Sequence, residues 1–152
     1  ADNATPITEL PRLWERRSEA PFILGSRYLA GSSITRAQPL LRRIISRVGN
    51  LLIRLLVGLN LTDTQNGFKL LAGSEARAIF TGVTINRWGF DIELLAIAAA
   101  RGIKILEVPV AWSDAAGSKL RAGRDAWRTL QELLKIRSNL ARGVYEKAVE
   151  TS

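Results

Sequence analysis

The stretch Leu61-Thr62-Asp63-Thr64-Gln65-Asn66-Gly67-Phe68-Lys69-Leu70-Leu71 places a polar turn between two apolar segments. The side chains of residues 63–66 can each hydrogen-bond to nearby backbone in a turn, and we expect Gly67 to occupy a position that a side chain would block. Residues 68–72 predict a strand, and Lys69 leaves a positive charge beside the turn. Because this pattern alone is typical of a β-hairpin turn, its function has to be inferred from the rest of the chain.

The composition of the 152 residues limits the chemistry of the chain. It contains no Cys and no His, which excludes Ser-His-Asp and Cys-His catalysis and zinc sites built on those residues. A metal would need oxygen ligands, which indicates Mg²⁺ or Mn²⁺. The net charge of +8 suits an anionic partner, namely nucleic acid, an anionic bilayer or a phosphorylated ligand. The chain has no Met and opens on Ala1, so we expect it to be an internal piece of a longer protein.

Two long segments predict basic amphipathic helices, residues 38–59 and residues 123–145. In the first, apolar side chains fall within an arc of roughly 160° and basic ones lie on the opposite side. This pattern is typical of a helix in a membrane interface, but a helix packed on the core with a solvated basic face would also show the stripe. The apolar stripe consists of Leu40, Leu41, Ile44, Ile45, Val48, Leu51, Leu52, Leu55, Leu56 and Leu59. The sequence contains no run of about 18 uncharged apolar residues, so no segment is predicted to span a membrane.

Two further segments carry candidate functional residues. The apolar run 21–24 predicts a buried strand that ends at Gly25-Ser26-Arg27, and ligands of open α/β sheets gather at such strand ends. Residues 89–101 predict a helix with Asp91 and Glu93 in its first turn, where acids complement the helix dipole. Residues two positions apart on a helix do not share a face. Only one of these two acids can therefore face a reaction centre, and we favour Asp91.

Two shorter elements complete the expected secondary structure. Residues 74–80 predict a short helix capped by Ser74. Residues 103–112 predict a β-rich run, in which Pro109 requires a sheet edge or a bulge.

Five short motifs, taken together and in order, resemble those of family 2 glycosyltransferases. Within that family the chain is most similar to the polyprenyl-phosphate sugar synthases, which include dolichyl-phosphate glucosyltransferases and mannose synthases. The resemblance covers the chain from residue 1 to about residue 140. Its motifs are Gly25-Ser26-Arg27, the stretch 61–71, Arg87-Trp88-Gly89-Phe90-Asp91-Ile92-Glu93-Leu94-Leu95, Glu107-Val108-Pro109-Val110-Ala111-Trp112 and Gly117-Ser118-Lys119-Leu120.

The resemblance implies an α/β fold, with this chain as the C-terminal, acceptor-side half of a nucleotide-diphospho-sugar transferase domain of the GT-A type. We expect a short mixed sheet with amphipathic helices in a single partial domain. Residues 1–37 would hold the end of a metal motif, a helix and the strand to Gly-Ser-Arg. Residues 38–60 would form the interfacial helix, 61–120 the acceptor-side sheet and helices, and 121–152 a C-terminal amphipathic helix and tail.

The resemblance also implies an activity for the full-length protein. It would transfer a hexose, glucose or mannose, from a nucleotide sugar of the UDP-glucose or GDP-mannose type to a polyprenyl or dolichyl phosphate, with inversion. The reaction would depend on Mg²⁺ or Mn²⁺ and would occur at the cytoplasmic face of a membrane, in protein glycosylation or cell-envelope synthesis. This segment would be peripheral to the membrane and inactive alone.

The resemblance assigns a role to each candidate residue. A lipid phosphate is already anionic at neutral pH, so it needs cations to approach the sugar diphosphate rather than a base. The catalytic candidates are Asp91 and Arg27. The acceptor-phosphate candidates are Arg42, Arg43, Lys69, Ser118 and Lys119. The donor or active-site loop candidates are Asp63, Thr64, Gln65, Gly67 and Trp88, and Asp2 would be the metal ligand.

Two alternatives remain compatible with the sequence. The first is a glycosyltransferase that acts on a hydroxyl acceptor with Asp91 as general base. The second is a basic module that binds an anionic membrane or nucleic acid without catalysis. A nucleic-acid partner is not expected, because no recognition motif is present and few aromatic residues could stack on bases.

Overall fold

A computed structural model describes residues 4–36, 40–86, 89–113 and 122–146. Within these ranges a single turn of 3₁₀ helix, Ile7–Glu9, precedes five α-helices that are interspersed with five strands. The helices are α1 Leu10–Glu15, α2 Leu40–Val57, α3 Gly73–Thr81, α4 Phe90–Ala100 and α5 Ala122–Ala141. The strands are β1 Phe22–Ser26, β2 Ser33–Arg36, β3 Lys69–Leu71, β4 Ile105–Pro109 and β5 Ala111–Ser113. The expected α/β class with a small mixed sheet is confirmed.

Strand β1 is the centre of the larger sheet, whose order is β3-β1-β4. It pairs antiparallel with β3, where Leu24 lies opposite Lys69, and parallel with β4, where Ser26 lies opposite Pro109. Every residue of β1 is buried, as its continuous apolar run predicts. The carboxyl end of β1 and the start of β3 therefore meet at one edge of the sheet. The residues that follow β1 consequently lie close to those that begin β3.

Gly25 is required by the close approach of two neighbouring chains. Its N–H donates to the carbonyl of Phe68 at 2.9 Å. A Cβ at this position would lie 3.2 Å from that carbonyl oxygen and 3.2 Å from a methyl group of Val110. A side chain would consequently push β1 away from the segment that leads into β3.

A second sheet of two parallel strands, β2 and β5, was not predicted. The run 103–112 is not one strand, because its register with β1 ends at Pro109 and its last hydrogen bond to β1 runs from the Val110 N–H to the Ser26 carbonyl at 3.2 Å. After Val110 the chain pairs with β2 instead. The expectation that Pro109 lies at a sheet edge is confirmed, since β4 is the outer strand of its sheet. Strand β2 depends on long-range pairing, and Ser33-Ile34-Thr35-Arg36 has no strand-like alternation of its own.

Helix α4 is the central helix of the core. Its residues from Ile92 to Ala98 are all buried, because the helix is apolar on nearly all sides. It packs with Phe22 and Leu24 of β1 and with apolar side chains of α2 and α5. Gly102, at φ 67°, ends the helix as predicted. By contrast, Ser74 is not a cap, because α3 begins at Gly73 after Ala72 and no side chain caps it.

Helix α2 packs on the core through a different face from the one expected. Ile53 and Val57, which lie outside the predicted stripe, are buried in the core. Within the stripe, Leu59 is buried and Leu56 is partly buried. The exposed members of the stripe are Ile44, Ile45, Val48, Leu51, Leu52 and Leu55. The core-packed interpretation is therefore wrong for most of this stripe. Across the described ranges no helix is long and apolar enough to cross a membrane.

Candidate active site

Arg27 and Asp63 form a buried ion pair at the carboxyl end of β1. The guanidinium donates from Nε to Oδ2 and from a terminal nitrogen to Oδ1, both at 2.7 Å, and the Arg27 backbone N–H donates to Oδ2 at 2.9 Å. The two side chains are 13% and 1% exposed. The guanidinium also lies 5.2 Å from the ring centres of Tyr28 and Trp112. A bidentate pair between aromatic rings fixes the orientation of Arg27.

Lys69 and Asp91 form a second ion pair beside the first. The Lys69 ammonium donates to Asp91 Oδ1 at 2.7 Å and to the carbonyl of Asn66 at 2.6 Å. The Lys69 side chain is 6% exposed, whereas that of Asp91 is 34% exposed. Burial lowers the pKa of Lys69, and the neighbouring Asp91 carboxylate opposes this effect. Asp91 is thus the more exposed member of this pair.

The two pairs form one electrostatic unit, here named the charged cluster: Arg27, Asp63, Lys69 and Asp91. Asp63 raises the pKa of Lys69 and Arg27 lowers it, so the other three charges all act on that of Lys69. Strand geometry explains the proximity, because Arg27 follows β1 and Lys69 begins β3 at the same edge of the sheet. Four of the residues predicted from sequence are therefore brought together by the fold.

A network of side chains holds the stretch 61–67 in place. The Glu107 carboxylate accepts from the N–H groups of Thr62 and Asp63 and from the Thr62 hydroxyl. The Asn50 side-chain oxygen accepts from the Thr64 hydroxyl at 2.7 Å. The supporting roles of Glu107 and Asn50 were not predicted. The available signal was Glu107 itself, one of two charged residues in an otherwise apolar run.

The stretch is not a β-hairpin turn, because it joins α2 to β3 rather than two paired strands. Asn66 makes the expected local turn, since its side-chain oxygen accepts from the Phe68 N–H at 3.1 Å. Thr64 is buried, whereas Gln65 and Gly67 are exposed on the same loop, outside the buried pairs. The expectation for Gly67 is wrong, because a Cβ there would meet nothing within 4 Å.

Asn66 also carries a buried donor next to Lys69. The residue is 5% exposed, and its side-chain nitrogen has no hydrogen-bond partner among the described residues. Its side-chain oxygen lies 3.5 Å from the Thr5 hydroxyl, near the beginning of the described chain. A buried donor without a partner costs about 1–3 kcal/mol, so an acceptor oxygen at this position would be stabilising.

Glu93 has a different environment from Asp91, as predicted for acids two residues apart on a helix. Its carboxylate is fully buried and accepts from the N–H groups of Thr84 and Ile85, the Thr84 hydroxyl and the Tyr145 hydroxyl. Burial, followed by the hydrogen bond to Glu93, raises the pKa of Tyr145. Glu93 therefore joins α4 to the loop before it and to the end of the described chain.

Six predicted site residues lie outside the described structure. The structure does not describe Asp2, Trp88, Ser118 or Lys119, and it does not describe the side chains of Arg42 and Arg43. In the part of the chain that is described, no group of three or more acidic side chains could hold a metal ion. The carboxylates of the charged cluster are paired with Arg27 and Lys69. The described residues therefore do not fit a metal centre, and the ligand role of Asp2 stays a prediction.

No family model matches the chain, but curated proteins with named activities do. It is 30% identical over 152 residues to a dolichyl-phosphate beta-glucosyltransferase of Dictyostelium discoideum, a match that covers 96% of this chain and 46% of the relative. It is 44% identical over 86 residues to the mouse protein of that name, covering 55% of this chain and 26% of the relative.

The name of a bacterial relative indicates a different lipid and a different sugar. The undecaprenyl-phosphate mannosyltransferase of Micrococcus luteus is 32% identical over 115 residues, which cover 75% of this chain and 47% of the relative. The chain spans less than half the length of these curated relatives. The resemblance found in the sequence is thus confirmed: the chain is related to the family 2 glycosyltransferases of the polyprenyl-phosphate type.

Proposed function

We propose that the full-length protein containing this chain transfers a hexose from a nucleotide sugar to a polyprenyl or dolichyl phosphate at a membrane surface. The observation that carries the proposal is the charged cluster, which gathers two cations at the end of the central strand. The names of the relatives support a polyprenyl or dolichyl phosphate as the acceptor, and glucose or mannose as the sugar agrees with them. This chain would be the acceptor-side half of a GT-A type domain.

The chemistry requires positive charge more than a base. A phosphate oxygen of the lipid would attack C1 of the hexose, and the bond from C1 to the nucleotide diphosphate would break with inversion. Because the second pKa of a phosphate monoester is about 6, the nucleophile is mostly dianionic at neutral pH and loses no proton. Bringing this anion to a sugar diphosphate requires fixed cations in a site where water does not screen them.

Lys69 and Asn66 are the described residues best placed to contact a phosphate oxygen. The ammonium of Lys69 is buried, oriented by Asp91 and by the Asn66 carbonyl, and adjacent to the Asn66 donor without a described partner. Arg27, held by Asp63, would add a second fixed positive charge. Arg42, Arg43, Ser118 and Lys119 stay candidates for further phosphate contacts, and Trp88, Asp63, Thr64, Gln65 and Gly67 for the donor loop.

The metal requirement is a separate part of the proposal. Asp2 would hold Mg²⁺ or Mn²⁺, which would supply positive charge for the leaving diphosphate. The described residues do not form a metal site, so this part of the proposal depends on Asp2 alone. A dependence of the full-length protein on added Mg²⁺ or Mn²⁺ that Asp2→Ala abolishes would support this assignment.

The membrane part of the proposal is supported by α2. Its exposed stripe of large apolar side chains is unusual for a surface in water, and basic residues flank it. Such a helix can lie in the headgroup region of an anionic bilayer. A peripheral position of this segment, at the cytoplasmic face, agrees with an acceptor whose phosphate is at the membrane surface.

A hydroxyl acceptor is the second candidate, and the exposure of Asp91 favours it. A carboxylate that is 34% exposed could take a proton from a sugar or lipid hydroxyl. The discriminating experiment measures labelled hexose transfer by the full-length protein to a polyprenyl phosphate and to the matching polyprenol. We expect product only with the phosphate, whereas product with the polyprenol alone would overturn the proposal.

A further inference from the structure

A pocket of about 280 Å³ lies between α2 and the segments that follow β1 and α2. Four of its lining residues are spaced i, i+3, i+4 and i+7 on α2, so they form one strip along that helix. The residues that line it are Tyr28, Arg47, Asn50, Leu51, Arg54 and Thr62. Neither Lys69 nor Asp91 belongs to this lining, so the pocket is not the charged cluster.

The wall of the pocket is held by hydrogen bonds. The Asn50 side-chain nitrogen donates to the Thr62 carbonyl at 2.5 Å. The Arg54 guanidinium donates to the Asn60 side-chain oxygen at 2.9 Å. These contacts restrain the polar wall before any ligand binds, which lowers the entropic cost of binding.

The charge of the pocket indicates an anion. Arg47 and Arg54 are cationic, and none of the described residues that line the pocket is acidic. Guanidinium groups match the geometry of a phosphate, to which they can donate two parallel hydrogen bonds. Tyr28 lines the same pocket and is uncharged at neutral pH. The shared chemistry of the expected ligand is therefore a phosphate ester or free phosphate.

The rim of the pocket indicates whether the ligand is a phosphate ester or free phosphate. Leu51 lines the pocket and is exposed, and along α2 it is flanked by the exposed side chains of Val48 and Leu55. A phosphate bound between the arginines would therefore lie beside an apolar surface. This arrangement favours an amphiphile, with its phosphate in the pocket and its chains along α2, over inorganic phosphate.

The pocket borders the charged cluster, since the ring of Tyr28 lies 5.2 Å from the Arg27 guanidinium, but no cluster residue lines the pocket. Thr62 lines the pocket, whereas the next residue, Asp63, is buried against Arg27. A lipid in the pocket would therefore not contact Lys69 or Asp91, neither of which lines it. Because Glu107 binds both Thr62 and Asp63, the pocket and the cluster share one rigid loop.

We propose that this pocket binds the phosphate headgroup of an anionic membrane lipid that is not the sugar acceptor, and so orients the domain on the bilayer. The proposal rests on the membrane-surface part of the proposed function. Lipid binding in the pocket does not require hexose transfer. The experiment therefore measures lipid binding directly, and its result is independent of the transfer reaction.

The test is a titration of the full-length protein in a nonionic detergent with short-chain phosphatidic acid, followed by calorimetry. Short-chain phosphatidylcholine and inorganic phosphate are the comparison ligands. We expect saturable binding of phosphatidic acid and at least about tenfold weaker binding of the other two. Arg47→Gln and Arg54→Gln should each weaken phosphatidic acid binding about tenfold, because each removes a charged hydrogen bond.

Two controls decide between the occupants. Arg77→Gln on α3 removes the same charge from an exposed helix position away from the pocket and should leave binding unchanged. Leu51→Ser should weaken phosphatidic acid but not inorganic phosphate. Equal binding of inorganic phosphate would overturn the lipid assignment. A tenfold higher KM for polyprenyl phosphate in the arginine variants would instead identify the pocket as an acceptor subsite and would also overturn the proposal.

Discussion

Asp91 and Glu93 lie in the same turn of α4 and have the same carboxylate chemistry, yet their surroundings differ. Glu93 is fully buried and accepts hydrogen bonds from Thr84, Ile85 and Tyr145. Asp91 is 34% exposed and faces a buried ammonium group. A buried carboxylate whose acceptor sites are all filled maintains the fold, whereas a partly exposed carboxylate with one cationic partner can also contact a ligand.

The strongest test of the structural side of this comparison is Glu93→Ala. The change leaves the buried donors of Thr84, Ile85 and Tyr145 without their acceptor, so we expect a loss of about 3 kcal/mol or more in the free energy of unfolding. Urea unfolding of the full-length protein measures it. Glu15→Ala, at an exposed position at the end of α1, is the control and should change stability by less than about 0.5 kcal/mol. Equal losses in the two variants would contradict a structural role of Glu93.

The next largest effect concerns activity rather than stability. Lys69→Met keeps the length of the side chain and removes its charge from the charged cluster. We expect hexose transfer by the full-length protein to fall on the order of 10²-fold, as when one fixed electrostatic donor is removed. Lys104→Met, at an exposed position, should retain the original rate. An unchanged rate in the Lys69 variant would show that its ammonium group does not act on the reaction.

Tyr145→Phe should have a smaller effect that depends on pH. The pKa of Tyr145 is raised in the folded state by burial and by Glu93, so the folded protein holds this proton above pH 10, where the unfolded chain releases it. The hydroxyl should contribute about 1–2 kcal/mol below pH 10 and lose this contribution as the pH rises further. The stability difference between the original protein and the variant should therefore shrink above pH 10.

Thermal unfolding scans from pH 8 to pH 11 measure this trend. Tyr28→Phe is the matched control, because Tyr28 is the other tyrosine of the chain and its side chain is exposed. A stability difference that stays constant from pH 8 to pH 11 would contradict the pKa shift of Tyr145.

The sequence predicted which residues matter better than how they interact. Arg27, Asp63, Lys69 and Asp91 were all candidates, but the partners lie 36 and 22 residues apart, so no local pattern could pair them. The register of β1 with β3 brings Arg27 and Lys69 together, whereas Asp63 comes from the loop before β3 and Asp91 from α4. Asn50 and Glu107 show the limit of residue-by-residue reasoning, since each acts on the backbone or hydroxyl of a loop in another part of the chain.

Periodicity likewise predicted the helices better than their contacts. The positions of α2, α4 and α5 agree with the sequence, but the pattern of α2 could not show which apolar face meets the core. Ile53 and Val57 provide that contact, and α5 is the helix that packs against α2. The same limitation hid β2, whose partner β5 lies about 75 residues further along the chain.

The most direct measurement of the central claim is the transfer rate of Asp91→Asn with a polyprenyl phosphate as acceptor. The variant keeps an oxygen for Lys69 but cannot act as a base. If the charged cluster serves an acceptor that is already anionic, the rate should fall by less than about tenfold. A fall on the order of 10²–10⁴-fold, the range expected when a general base is lost, would contradict the account and favour a hydroxyl acceptor.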